Sequence, residues 1–177
     1  MELLLDHAGL DGERRLQLLT SLASGWEAAT DALWAAIDAH DTQAIGAAIQ
    51  AGADLEYHRG QARSALLGAL TVTSDVSVFP VLIEVGKADV NLPDKLTKNT
   101  IWHLLCSNYG LEHAGAAVAI ARYLSSVEAL SPALLTKTNI RGDMPIHVAS
   151  RRPASVHMLH FFIQEQHVPV DVLNRHS

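Results

Sequence analysis

The nine residues Gly142-Asp143-Met144-Pro145-Ile146-His147-Val148-Ala149-Ser150 constrain this chain more than any other stretch. Proline is tolerated in the first turn of a helix, where its missing amide donor costs nothing, and Gly142 permits the tight turn that delivers it. The segment therefore predicts a helix with a defined start, and implies similar helices stacked beside it.

Three degenerate echoes of the segment occur upstream: Asp31-Ala32-Leu33-Trp34-Ala35-Ala36, Ser64-Ala65-Leu66-Leu67-Gly68-Ala69 and Thr100-Ile101-Trp102-His103-Leu104-Leu105. Their central apolar residues Leu33, Leu66, Trp102 and Ile146 fall 33, 36 and 44 positions apart, so the last two intervals carry insertions. A second pattern lies in phase with the first. Ala48-Ile49-Gln50-Ala51-Gly52-Ala53-Asp54-Leu55 returns as Val81-Leu82-Ile83-Glu84-Val85-Gly86-Lys87-Ala88-Asp89-Val90-Asn91 with one residue inserted after the glycine, and more loosely as Val168-Pro169-Val170-Asp171-Val172-Leu173-Asn174. Gly52 and Gly86 suit the left-handed position that closes a helix, and Asp and Asn stabilise the turn that follows.

Together the two patterns resemble the G-x-T-P-L-H-x-A-A and L-L-x-x-G-A-D-V-N signatures of ankyrin repeats over about residues 31–174. The resemblance implies an all-α ankyrin-repeat solenoid of about four helix-turn-helix units. The units span about 30–59, 61–94, 97–138 and 139–174 within a repeat domain of residues 31–177, preceded by an N-terminal helical cap over 1–30. In the first unit, helices are expected near 32–39 and 42–51. In the second, Phe79-Pro80 belongs near the start of the outer helix. The third is overlong, with its extra residues in 109–116 and 126–135. Within the cap, Leu16, Leu18, Leu19 and Leu22 form an apolar stripe at helical spacing after a break at residues 9–12, as a lid over the first unit requires.

Nearly half the chain is apolar while aromatics make up only 5%, a composition that fits closely packed helix pairs and disfavours β-rich architectures. No apolar run approaches the ~18 residues of a membrane span, and the start lacks the basic leader and long apolar core of a secretory signal. A single cysteine, Cys106, precludes an internal disulfide framework and suits a reducing, cytoplasmic setting. The net charge of −6 argues against nonspecific nucleic-acid binding. Its distribution is uneven: residues 1–60 hold ten acids and three bases, a balance of −7, residues 61–135 give −1 and residues 136–177 give +2. In an elongated stack this becomes a spatial gradient, although scattered solvated charges produce the same tally.

His103 and Cys106, three apart on an expected inner helix, form a pairing that can activate a thiol nucleophile. No orienting acid or oxyanion feature can be assigned beside them. The ankyrin resemblance instead gives His103 and His147 the role of structural histidines that tie neighbouring loops by hydrogen bonds, and makes Cys106 a small packing residue. His157 and His160 have the spacing of metal ligands on a helix, with His167 as a possible third, but the four-ligand set of a structural zinc site is not at hand. Gly110-Leu111-Glu112-His113-Ala114-Gly115 has spaced glycines without a Walker lysine or a preceding strand. The expectation is a chain without catalysis, cofactor or metal.

A stack of repeats offers instead a concave groove, and the resemblance implies recognition of another protein through it. The alignment puts exposed inner-helix positions at Asp38, Thr71, Ser107, Asn108, Arg151 and Arg152. Loop tips fall at Tyr57, His58, Arg59, Gln61, Arg63, Lys95, Lys98, Asn99, Arg141 and Asp143. Tyr57, Arg59, Arg151 and Arg152 stand out because aromatic and arginine side chains dominate interface hot spots. Trp34 and Trp102 are expected to pack. Such modules often select substrates for a larger protein, including bacterial effectors that act inside host cells, and this chain is expected to be part of one. The alternative is a structural or regulatory module that docks on a catalytic domain of the same chain, or on a second copy, through an exposed last helix carrying Phe161 and Phe162.

Overall fold

The computed structural model describes residues 12–58, 63–108 and 114–171, with side chains over 24–58, 63–107 and 115–171. Among the described residues every regular element is helical and there is no strand. Helices α1 (Gly12–Asp38) and α2 (Thr42–Gln50) form a first pair. Helix α3 (Ala65–Val72) pairs with α4 (Val78–Pro80), which continues as a π-helical turn, Val81–Val85. The third pair is α5 (Ile101–Asn108) and α6 (Ala114–Ser125). The fourth is α7 (Pro145–Ser150) and α8 (Val156–His160), the latter again running into a π-helical turn, Phe161–Glu165. No helix among the described residues is long and apolar enough to cross a membrane.

The pairs lie side by side in chain order. Helices α1, α3, α5 and α7 pack each on the next, α2 packs on the π-helical turn of α4, and α6 packs on α8. Leu33, Leu66, Trp102 and Ile146, the four residues aligned in the sequence, are all buried between them. The helix expected over 32–39 is the end of the 27-residue α1, which runs unbroken past the boundary drawn at residue 30. Residues 9–11 and the side chains of Leu16, Leu18, Leu19 and Leu22 lie outside the described residues. Pro145 occupies the first turn of α7 and Gly142 adopts φ 77°, as the opening segment requires.

The glycine reading holds at one position and fails at another. Gly52 is left-handed (φ 90°) just after α2, but Gly86 is right-handed (φ −77°) and Lys87 takes the left-handed place (φ 58°). The residue inserted after α4 is absorbed by widening its last turn into a π-turn, closed by Gly86 N–H donating to the Val81 carbonyl at 3.0 Å. Gly86 is required for a different reason: a Cβ there would stand 2.4 Å from a Leu55 methyl and 2.7 Å from the Leu82 carbonyl. Gly68 is similar, since its missing Cβ would lie 2.3 Å from the Trp34 ring of α1.

Loop hydrogen bonds repeat in phase with the helices. Asp54 accepts from the Glu56 amide (2.9 Å) and Asp89 from the Asn91 amide (2.8 Å), giving the same turn in successive units. Glu56 and Asn91 each then reach one unit forward. The Glu56 carboxylate accepts from the Asp89 amide at 2.7 Å, and Asn91 clasps Ala129 O and Ser131 N at 2.7 and 2.8 Å. The 126–135 insertion is thus tied to the second unit, and its Leu130 and Leu134 are buried, so it packs as part of the stack.

Phe161 and Phe162, expected on an exposed last helix, are only 1% and 0% exposed. They form an aromatic cluster with Trp102, with ring centroids 5.8–6.1 Å apart. The fourth pair is too short to bury its apolar face internally, so it plugs into the third. Neither phenylalanine is available as a docking contact. Among the described residues, the large apolar side chains left exposed on this pair and the segment after it are Val156, Ile163 and Val170.

Candidate binding clefts at opposite ends of the stack

Helices α5 and α7 and the loops that precede them enclose a cleft of about 280 Å³, lined by Thr97, Asn99, His103, Ser107, Asn139, Arg141, Asp143, Arg151 and Arg152 with Ile140 and Val148. His103, fully buried on α5, fixes its floor. Its Nδ1 lies 3.1 Å from the Thr100 amide and 2.9 Å from the Thr100 hydroxyl, and its Nε2 lies 2.8 Å from the Asp143 carbonyl one unit on. Because Nδ1 accepts the amide N–H, the neutral ring carries its proton on Nε2 and donates to Asp143. Burial, foremost, holds the His103 pKa below its ordinary value. His147 takes the same position on α7, its Nδ1 accepting from the Met144 amide at 3.0 Å. Asn139 Nδ2 donates to Asn99 Oδ1 at 2.9 Å and the Ile140 amide to the Thr97 carbonyl at 2.9 Å, joining the two loop tips.

The arginines of this cleft are not equivalent. Arg151 makes a two-pronged ion pair with Asp143, both N–H···O distances being 2.6 Å. Asp143, expected at an exposed loop tip, has a side chain only 3% exposed, against 51% for Arg151. Arg151 therefore neutralises a buried carboxylate as well as facing the cleft. Arg152 donates from one guanidinium nitrogen to the Ser107 carbonyl, which also caps the end of α5. Arg141 is exposed, on a loop whose backbone is held by Asn139 Oδ1 accepting from the Arg141 amide at 2.9 Å.

Of the groove and loop-tip positions singled out from the sequence, Asn99, Ser107, Arg141, Asp143, Arg151 and Arg152 come together here. Asp38 and Thr71 are exposed at the ends of α1 and α3, and the Thr71 hydroxyl donates back to Gly68 O at 2.7 Å. Lys95 and Lys98 are exposed on the loop before α5, where Lys98 is left-handed (φ 56°) at the place Gly142 fills one unit later. His58 is half-buried, its pKa lowered by burial and by Lys95. Arg59 and the side chain of Asn108 lie outside the described residues.

Tyr57 belongs to another cleft. With Trp26, Glu27, Thr30 and Asp31 of α1 it lines about 310 Å³ at the acidic end of the stack. Trp26 was not among the sequence candidates, although its spacing to Thr30 on one helix face was available.

Cys106 is fully buried on α5, and burial pushes its thiol pKa up. Its carbonyl accepts from the Ser155 hydroxyl at 2.6 Å. With both ring nitrogens of His103 engaged elsewhere, the His103–Cys106 pair is built into the packing. Among the described residues no three His, Cys, Asp or Glu side chains gather as a metal-binding set. No protein-family model matches the chain.

Proposed function

We propose that this protein is an ankyrin-like, non-catalytic module that recognises another protein through its concave face, with the cleft between the third and fourth helix pairs as the main contact. It would act within a larger polypeptide, inside a cell, by selecting what that polypeptide engages. The observation that carries this reading is the convergence of Ser107, Arg141, Arg151 and Arg152 on one cleft whose floor is pinned by the His103–Asp143 bond. Cross-unit bonding at equivalent residues, by Glu56 and Asn91, supports the repeat assignment, since only units laid in register repeat the same clasp. A cleft with fixed walls and arginines at its rim meets a partner with little ordering cost.

The test is quantitative affinity capture with the wild-type chain and with Arg141→Glu, a rim residue bearing no buried carboxylate. A partner should be enriched by the wild type and lost by at least tenfold with the variant, while thermal unfolding stays within a degree or two. Identical capture by both would overturn the assignment of this cleft.

A further inference from the structure

The acidic end of the stack carries a second cleft whose chemistry is opposite to the first. Trp26, Glu27, Thr30 and Asp31 are successive positions on one face of α1, and Tyr57 is brought over them by the loop after α2. Thr30 makes that placement specific. Its buried hydroxyl donates to the Trp26 carbonyl at 2.7 Å and accepts from the Asp54 amide at 2.9 Å, while the Tyr57 amide approaches the Asp54 carbonyl at 3.4 Å. The helix residue Trp26 and the loop residue Tyr57 are thus joined through Thr30 and Asp54.

The rings meet edge to face, with centroids 5.9 Å apart and planes at 62°. In that arrangement the two faces do not stack on each other, so ring face stays open to the cleft. Both residues are exposed, Trp26 at 36% and Tyr57 at 46%. Exposed rings alone do not define an occupant, but the carboxylates do. Glu27 and Asp31, on adjacent turns, line the same cleft, and the first sixty residues carry a balance of −7. Open π faces and carboxylates both favour a cation.

We infer that the Trp26–Tyr57 cleft binds the guanidinium of an arginine side chain on a peptide segment. A guanidinium is planar and weakly hydrated, so it can lie on an aromatic face while its edge donates to two carboxylates; an ammonium is compact and strongly hydrated and gains less from the rings. The site is independent of the arginine-lined cleft at the other end.

Trp34 and Trp102 are buried, so the Trp26 indole reports the site. The full chain, ¹⁵N-labelled, is titrated with a blocked pentapeptide containing one arginine among glycines and alanines, and with peptides carrying citrulline, lysine or trimethyllysine at that position. The arginine peptide should shift the Trp26 indole resonance and leave that of Trp102 in place. Citrulline, which keeps the shape and loses the charge, should produce no saturable shift. Trp26→Leu, followed through backbone amides near Thr30, and Tyr57→Leu should each weaken binding roughly two- to fivefold. Glu27→Gln with Asp31→Asn should weaken it further and flatten its salt dependence. Equal response to citrulline, or arginine binding unchanged in Trp26→Leu, would overturn the site, as would tighter binding of trimethyllysine than of arginine. Because Arg141→Glu should leave this titration unaltered, its failure and failure of the arginine-lined cleft are distinguishable.

Discussion

The junction between the first and second helix pairs and the junction between the third and fourth are built on different physics. At the first, the backbone of the second pair meets side chains of the first where only hydrogen fits: Gly68 lies against the Trp34 ring, and Gly86 against Leu55 and Ile49. At the other, the units close around large rings, Trp102 with Phe161 and Phe162, and a buried polar chain through His103 and Asp143 holds the loops. One architecture can therefore be closed by contact distance or by hydrogen bonding, and the two tolerate opposite substitutions. The glycine junction resists added volume. The aromatic and polar junction resists removed volume and lost donors.

Deleting a ring should break the second junction most severely. Phe162→Ala is expected to cost about 3–5 kcal/mol in denaturant unfolding; a loss below about 0.5 kcal/mol is what an exposed contact residue would show. Next is His103→Ala, which strands the Thr100 amide and the Asp143 carbonyl and should cost about 3 kcal/mol. The same histidine gives the junction a pH signature. Its folded pKa is depressed below the ordinary 6.5, so its contribution is complete above that value and declines as pH falls towards the folded pKa. Unfolding measured from pH 7 to pH 5 should therefore show a loss in the wild type that is smaller in His103→Gln.

At the first junction, Gly68→Ala should cost about 1–3 kcal/mol by overpacking, and the penalty should shrink in a Trp34→Leu background, where the methyl has room. An unchanged penalty would mean that the close approach is not what limits this site. Arg151→Met should cost about 1 kcal/mol, a value discounted because the guanidinium is half exposed although its Asp143 partner is buried. The smallest effect is a gain. Lys98→Gly relieves a left-handed backbone that costs an L-residue roughly 1–2 kcal/mol, offset by the greater freedom of glycine when unfolded, so a net stabilisation of a few tenths of a kcal/mol is expected from thermal scans.

The sequence was most legible where a local rule had one solution. Pro145 after Gly142 could only start a helix, and the four aligned apolar residues could only be core, as Leu33, Leu66, Trp102 and Ile146 are. It misled where the same residue satisfies two demands. Gly86 reads as a helix terminator yet serves close packing, because Lys87 accepts the left-handed conformation instead. Phe161 and Phe162 read as exposed because period alone does not say how large the opposing residue is, and Trp102 is large enough to cover both. Asp143 reads as a loop tip until Arg151, eight residues on, folds back over it. Trp26 escaped notice since its spacing to Thr30 on one helix face does not by itself say that Thr30 will hold a distant loop beside it.

The widened turns at Val81–Val85 and Phe161–Glu165 carry a consequence for how such a chain can change over time. A helix whose last turn swells by one backbone step before the loop begins acts like an expansion joint in a bridge deck. Gains or losses of single codons near it would be swallowed on the spot, leaving every later span aligned, so drift in length at these places need not be matched by drift in shape.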